Sequence, residues 1–505
     1  MINHHKKYNM ASLKSFHQIF FTGLLAFFSV TVSFGQRNNP SFSPAVEKDI
    51  KNVENSLSGW VQIADSTNHW SLRERMKYYK VNGVSIAVIH HYSLEWARGY
   101  GFADSLEQRP VTTHTLFQAA SISKSLHAIG VLNLVQSGKI DLDEDINKYL
   151  KSWRFPYDTV AKKKIITIRN LLSHTAGLTV HGFPGYEQGD TIPTIVQILD
   201  GKRPANTSKI RSQFAPGLRF EYSGGGTTIS QLIVTDITGE AYDQYQSKNV
   251  LLPMGMTESF YSQPPPADKL SLLAAGYREN GEQIKGKFHI YPEMAAAGLW
   301  TNPSDLAKYI METQLSWEGK SSKVLSGAMT KIRLTPFDTS TNAALGVFID
   351  KRGGKTYFQH GGANEGFRCQ YYGSLDSGDG IAVMVNSDNG AIMQEIINSV
   401  AAVYGWKDFY KPVIKKTVLV PNHILDTYTG NYAFNNSSIV INRNGDHLFL
   451  SQDNNAPVQL DFTSDTEFFM FEIPADCRFV KNETGKTISI SVTQNGNQFS
   501  IMKKE

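Results

Sequence analysis

The spacing of apolar positions changes several times along the chain. Residues 36–80 are polar overall, with apolar residues at helical spacing over 46–64 and again over 72–79. The period then shortens. Residues 84–89 (VSIAVI) and 94–102 (LEWARGYGF) predict two strands joined by a short turn. After a loop at 110–114, Leu116 opens a helical pattern that runs through 131–135 and stops at Gly138. Residues 141–150, with acidic residues early, predict a further helix. Residues 168–177 predict another, ended by Gly177 as a C-cap. Residues 181–210 predict a rim with a helix near 192–199. A glycine triplet, 224–226, precedes an amphipathic helix over 227–239. Residues 295–305 predict a turn, with Ser304 or Asp305 near the start of a short helix.

Strand periodicity returns late. Residues 355–359, 366–373 and 380–386 predict three strands, the Gly-rich loop 360–366 joining the first two, and a helix follows over 391–404. A hairpin, a long helical insert, three strands and a helix predict an α+β fold: one antiparallel sheet completed from both ends of the domain, flanked by helices, with an all-helical lobe between. A break falls at 411–421. Beyond it, short alternating strands recur at 438–442, 447–451, 458–462, 467–472, 477–480, 487–493 and 498–502, with Asn-Gly turns at 444–445 and 495–496. This predicts a small all-β module, open sheet or barrel. Its aromatic residues Tyr428, Tyr432, Phe449, Phe468, Phe469 and Phe471 read as core rather than as a ligand cage.

Composition narrows the class. The 505 residues are 41% hydrophobic and 19% charged, as in folded globular chains. A net charge of +4 from 50 basic and 46 acidic side chains gives no argument for nucleic acid. Basic residues at 4–7 and Lys14 precede an apolar run over 19–34, and small residues Ser33 and Gly35 precede a possible cut before Gln36. This predicts a signal peptide over 1–35 and a periplasmic or secreted product, with no stable membrane span after cleavage. The expected organisation is therefore signal peptide 1–35, main domain 36–410, linker 411–421 and all-β domain 422–505. Cys369 and Cys477 are the only cysteines and fall in different expected domains, which favours two free thiols. Neither C-x-x-C nor H-E-x-x-H occurs, so no metal and no cofactor is expected.

Ser121 and Lys124 form an S-x-x-K pattern at the start of a predicted helix, where positions i and i+3 share a face. A serine needs a nearby base to act as a nucleophile, and a lysine can supply one. Alone the pattern is common in a chain of this length. His174, beside a predicted helix end, reads as a hydrogen-bonded structural residue rather than a base. Further motifs add weight in chain order: LLSHTAGL at 171–178, YSG at 222–224, PMGM at 253–256, AAAGLWTNPSDLA at 295–307 and HGG at 360–362. Together with S-x-x-K they resemble the serine β-lactamase and penicillin-binding-protein superfamily, closest to the class C-like branch of esterases, D-amino-acid peptidases and DD-peptidases. The resemblance covers about residues 50–405. The tail resembles the β-rich, lipocalin-like module carried by some members.

The resemblance implies that Ser121 is acylated, that Lys124 is the neighbouring base and lowers the pKa of Tyr222, and that Tyr222 shuttles the proton. It implies an oxyanion site built from the backbone N–H groups of Ser121 and Ala363. Substrate contacts would come from His360, Gly361 and Gly362, and from His181 by alignment with one gap. Two positions depart from dedicated class C β-lactamases. Gly224 stands where an amide-binding Asn is usual, and His360 stands where a Lys meets the substrate carboxylate. Both fit an esterase or peptidase better. The expectation is an exported serine hydrolase acting through an acyl-enzyme on a small-molecule or peptide substrate: an ester, a D-amino-acid peptide or a β-lactam. The competing reading is a non-catalytic sensor that holds peptidoglycan fragments or D-peptides in the same pocket; the survival of Ser121, Lys124 and Tyr222 together argues against it.

Overall fold

The structure is a computed structural model. It describes residues 41–504 apart from 67–68, 339–340, 435–436, 453–456 and 495. The expected signal peptide, 1–35, lies outside the described residues.

The main domain is organised by a seven-stranded sheet. In spatial order its strands are Arg109–Pro110, Ser93–Asp104, Gly83–His90, Gly380–Val385, Phe367–Ser374, Lys355–Asn364 and Phe348–Arg352. The join between the two ends of the domain is the antiparallel pair Gly83–His90 and Gly380–Val385, in register from Val84 opposite Val385 to Ile89 opposite Gly380. Both strands are apolar on both faces because both faces are covered. Val84, Ile86, Val88, Ile381, Val383 and Val385 pack under the terminal helices Pro44–Glu54 and Ala391–Val403. Their alternate neighbours Ala87, Ile89, Ala382 and Met384 face the other way, into the core of the helical lobe. The sequence expectation of a sheet built from both ends with a helical lobe between holds.

Four local expectations do not. Residues 141–150 form only a 3-10 turn, Ile146–Lys148, because aspartates turn inward on the backbone: Asp141 accepts from the Asp143 N–H at 2.8 Å and Asp145 from the Asn147 N–H at 2.9 Å. The helix expected over 168–177 is Ile168–Leu172 and stops at Ser173, since His174 has φ +58°. The helical spacing over 46–64 ends at Glu54, and Val61–Ile63 is a strand. The expected Gly-rich loop 360–366 is mostly strand, as Lys355–Asn364 pairs with Phe367–Ser374 through Gly362 opposite Cys369 and Ala363 opposite Arg368. The edge strand Phe348–Arg352 and the helix Leu72–Tyr78 complete this part of the fold, the latter with a full capping box between Ser71 and Glu74.

The tail is a closed barrel of eight strands, sealed where Gly430–Phe434 pairs with Asn497–Lys503. The strand Gly430–Phe434 carried no expectation of its own. The interior is filled by rings rather than left open: Tyr428 stacks on Phe479 at 4.0 Å between centroids, and Phe468 and Phe462 lie at 4.8 and 6.2 Å from Phe479. The helix Asn422–Tyr428 brings Tyr428 into that stack. The segment 411–421 is not free, because Val413–Lys415 pairs in parallel with Val61–Ile63. At this seam Trp60 Nε1 donates to the Met470 carbonyl at 3.1 Å, and the Lys415 ammonium lies 5.7 Å from the Trp60 ring and 5.2 Å from that of Phe469. Cys369 in the sheet and Cys477 in the barrel are both free and buried. Among the described residues no helix is long and apolar enough to cross a membrane.

Candidate active site

Ser121 lies in a single 3-10 turn, Ala120–Ile122, that runs directly into the helix Ser123–Gln136. Ala120 holds φ +46°, a left-handed conformation that a residue with a Cβ adopts at a cost of about 1–2 kcal/mol. The kink turns Ser121 out of an otherwise buried segment, so its side chain stays half-exposed while Ala120 and Ile122 are enclosed. Lys124 follows in the first helical turn and is only 4% exposed. Its Nζ donates to Ser121 Oγ at 3.0 Å and to the Ala296 carbonyl at 2.7 Å. That carbonyl belongs to the short helix Met294–Ala297, within the AAAGLW stretch. The stretch was legible as a motif, but its role as a backbone acceptor for Lys124 was not.

Tyr222 presents its ring face to the same amine, with Nζ 5.0 Å from the centroid. Two histidines hold the tyrosine segment. His174 lies against the Tyr222 ring at 4.3 Å, its Nδ1 accepts from the Ser223 N–H at 3.2 Å, and its carbonyl accepts from the Glu221 N–H at 2.8 Å. Both of its bonds brace backbone, which fits the structural reading. Burial first, and then the Lys124 charge, hold its imidazole well below the usual histidine range. His181 sits on the exposed rim, its Nδ1 2.6 Å from the Tyr222 carbonyl, and it too acts on backbone.

The strand Lys355–Asn364 forms the opposite wall. Gly362 is required there: a Cβ would stand 2.3 Å from the Ala119 carbonyl and 2.5 Å from Cys369 Sγ. Without a side chain, the strand lies directly against the turn that carries Ser121 and sets Ala363 beside it. At Gly361 a Cβ would meet Gln370 Oε1 at 2.6 Å. His360 is 3% exposed, with Nδ1 2.6 Å from the Gly361 carbonyl and a ring centroid 6.3 Å from that of Tyr222. Burial, followed by the Lys124 charge, lowers its pKa to about 3, so this wall presents a neutral imidazole.

The glycine triplet also proves to be a close approach. Gly224 starts the helix Gly224–Thr238, N-capped by Ser223 through the Gly226 N–H at 3.0 Å. A Cβ on Gly224 would fall 2.8 Å from Phe183 Cε2, and one on Gly225 2.9 Å from the Thr179 carbonyl. An aromatic ring from the rim therefore occupies the space beside Gly224.

One enclosed group carried no signal in the sequence. Glu293 is fully buried, and neither carboxylate oxygen has a hydrogen-bond partner beyond its own backbone N–H. Burial pushes its pKa from 4.5 up to about 8. Because the folded value lies above the unfolded one, the protonated acid is the form that fits. The stability it permits is complete below about pH 4.5 and is lost as pH rises through about 8. Glu293→Gln stays neutral, so its stability relative to the native chain should improve by up to about 4 kcal/mol between pH 5 and pH 9. Thermal melts of both proteins at the two pH values check this; a constant difference would contradict it. Among the described residues no group of His, Cys, Asp and Glu could hold a metal ion.

A serine hydroxyl bonded to a buried lysine, with a tyrosine over the amine and a glycine-bearing strand against the turn that carries the serine, defines the class of the serine β-lactamases and penicillin-binding proteins. The β-lactamase family model matches residues 71–403, and the chain belongs to that family. It is 22% identical over 430 residues to penicillin-binding protein 4* of Bacillus subtilis (strain 168), covering 80% of this chain and 91% of that protein. It is 27% identical over 252 residues to a β-lactamase of Pseudomonas fluorescens, covering 49% of this chain and 63% of the relative. Among solved structures, the octameric penicillin-binding protein homologue from Pyrococcus abyssi aligns with a TM-score of 0.59 at 20% identity, over 86% of this chain and 97% of that one. The D-amino acid amidase from Ochrobactrum anthropi SV3 aligns with a TM-score of 0.55 at 21% identity, over 72% and 98%. At these identities the solved structures establish the fold.

Proposed function

We propose that this chain is an exported serine hydrolase that forms an acyl-enzyme on Ser121 and acts on esters or D-amino-acid amides in preference to β-lactams. The observation that carries the reading is the 3.0 Å contact between Lys124 Nζ and Ser121 Oγ, with Nζ fixed from behind by the Ala296 carbonyl. With the amine deprotonated, the same contact runs in reverse: Ser121 donates its proton to Nζ as Oγ attacks the substrate carbonyl carbon. The backbone N–H groups of Ser121 and Ala363 receive the oxyanion. Tyr222 passes the proton from the amine to the leaving group. Water then attacks the acyl ester by the same route in reverse and frees Ser121.

Preference for esters and amides over β-lactams rests on two positions. The neutral, enclosed His360 offers no charge to a substrate carboxylate, and Phe183 fills the space beside Gly224 where a substrate amide would find a side-chain partner. The D-amino acid amidase among the structural neighbours is consistent with this direction.

The test is a fluorophosphonate label followed by a panel of p-nitrophenyl esters, D-aminoacyl amides and nitrocefin. The label should add to Ser121, and esters or D-aminoacyl amides should turn over faster than nitrocefin. An intact mass without adduct would overturn the mechanism; nitrocefin as the fastest substrate would overturn the preference.

A further inference from the structure

The short helix Met294–Ala297 is tied to every wall of the site. Its Ala296 carbonyl holds Lys124 Nζ at 2.7 Å, and its Ala297 carbonyl accepts from Asn364 Nδ2 at 3.1 Å, on the strand that carries Ala363. Just past the helix, the Leu299 N–H donates to Ser123 Oγ at 3.0 Å, and the Leu299 carbonyl accepts from the Ala119 N–H at 2.8 Å. The turn of Ser121 is therefore fastened on both sides. At the start of the helix stands Gln231, from the helix that follows Tyr222. It donates to the Pro292 carbonyl at 3.1 Å and accepts from the Ala295 N–H at 2.8 Å. So short a helix is not stable by its own hydrogen bonds, and these ties decide where it sits.

Glu293 caps this helix, its carbonyl accepting from the N–H groups of Ala296 and Ala297, each at 2.9 Å. Its side chain is enclosed with both carboxyl oxygens unmatched by any other side chain. The titratable groups facing it are phenols. Tyr186 on the rim is pushed up to about 12, and Tyr291 is also held above its ordinary range, each by burial first and then by the Glu293 charge. Gln231, which meets this end of the helix from Gly224–Thr238, is neutral and engaged at both ends. Lys124 reaches the same helix at the Ala296 carbonyl, but no cation among the described residues contributes to the raised pKa of Glu293, which burial sets. An ionised carboxylate here has neither water nor a counter-charge. Its nearest relief is the first turn of its own helix, where the Ala295 N–H is already given to Gln231. Charge on Glu293 therefore works against the tie that holds the helix in place.

We propose that Glu293 is a positioning residue for the reaction: as an uncharged acid it lets the helix Met294–Ala297 close on Lys124 and on the strand of Ala363, and its ionisation withdraws the Ala296 carbonyl from Lys124 while the chain stays folded. The inference rests on hydrolysis at Ser121 and adds to it a reversible shut-off in alkaline solution. The sign follows from burial. The folded pKa, about 8, lies above the unfolded one, so the closed arrangement is complete at low pH and is lost as pH rises through about 8.

The test follows kcat of the full chain and of Glu293→Gln on p-nitrophenyl acetate from pH 6 to pH 9, with the uncatalysed rate subtracted. Taking the ratio of the two proteins cancels every titration they share. The ratio of variant to wild type should rise about tenfold between pH 7 and pH 9, because one pH unit above about 8 leaves about a tenth of the acid protonated. Wild-type circular dichroism should be unchanged at pH 9, and return to pH 7 should restore the rate. A measurement on the wild type alone guards against a variant that does not fold: infrared difference spectra should lose a protonated-carboxyl band with the same midpoint as the rate. A flat ratio, a loss of rate that accompanies unfolding or does not reverse, or no such band would each overturn the inference and leave the hydrolase reading standing. A wild type inert towards the ester at every pH and unlabelled by fluorophosphonate would overturn both.

Discussion

Ser121→Ala should abolish turnover, with a fall of about 10⁴-fold or more in kcat, because removing the nucleophile of a catalytic unit costs nearly as much as removing the whole unit. No neighbouring hydroxyl can take over. Ser123 Oγ is buried and accepts from the Leu299 N–H at 3.0 Å. Ser125 Oγ donates to the Gly346 carbonyl at 2.9 Å and lies 2.9 Å from the Tyr371 hydroxyl. Both point into the core and are engaged there. The substitution should leave the fold alone, since Ser121 is half-exposed and its loss opens no cavity; stability should stay within about 0.5 kcal/mol. Initial rates on the preferred ester, with a thermal melt beside them, separate the two effects. Retained turnover in a folded Ser121→Ala protein would end the acyl-enzyme account.

Lys124→Met should lower kcat by about 10²–10⁴-fold, the range for loss of a positioned general base. Methionine has similar length and fills the buried space, so the core is largely preserved. What disappears is the amine between Ser121 Oγ and the Ala296 carbonyl, and the charge facing the Tyr222 ring. The loss should also register at a distance. The Lys124 charge is the second cause, after burial, of the low pKa of both His360 and His174. Removing it should raise the titration of His360 from about 3, while burial still keeps the ring neutral at pH 7. Histidine proton resonances followed through a pH titration, alongside kcat, report the two consequences independently. A kcat within tenfold of the wild type would mean that another group serves as base.

The sheet was legible because burial on both faces writes itself as nearly continuous apolar runs, such as 84–89, broken only by the buried Ser85, and 380–385. The contact between Ser121 and Lys124 was legible because S-x-x-K at the start of a helix has local geometry. The errors share a physical cause. Aspartates over 141–145 look like a helix start, but their side chains are short enough to capture neighbouring N–H groups and form turns instead. Gly361, Gly362 and Gly366 look like a loop, because glycine usually marks a turn; only Gly366 has a positive φ, at +79°, whereas Gly362 is glycine to let a strand touch the Ala119 carbonyl. Glu293 gave no warning at all. Its environment is assembled from segments far apart in the chain, and one acidic residue between Pro292 and Met294 has no period to betray it.

The pairing of Gly83–His90 with Gly380–Val385 also sets a timetable. Ser93–Asp104 can pair with the first of these strands as soon as it is made, but the second neighbour arrives roughly 290 residues later. At typical synthesis rates that interval is about 15–60 s. Throughout it the nascent chain carries an apolar strand with one open edge and no cover from the helix Ala391–Val403, which is made later still. The arrangement that lets both ends of the domain close around the site makes folding a late event, and it leaves the growing polypeptide most vulnerable to aggregation before its last hundred or so residues exist.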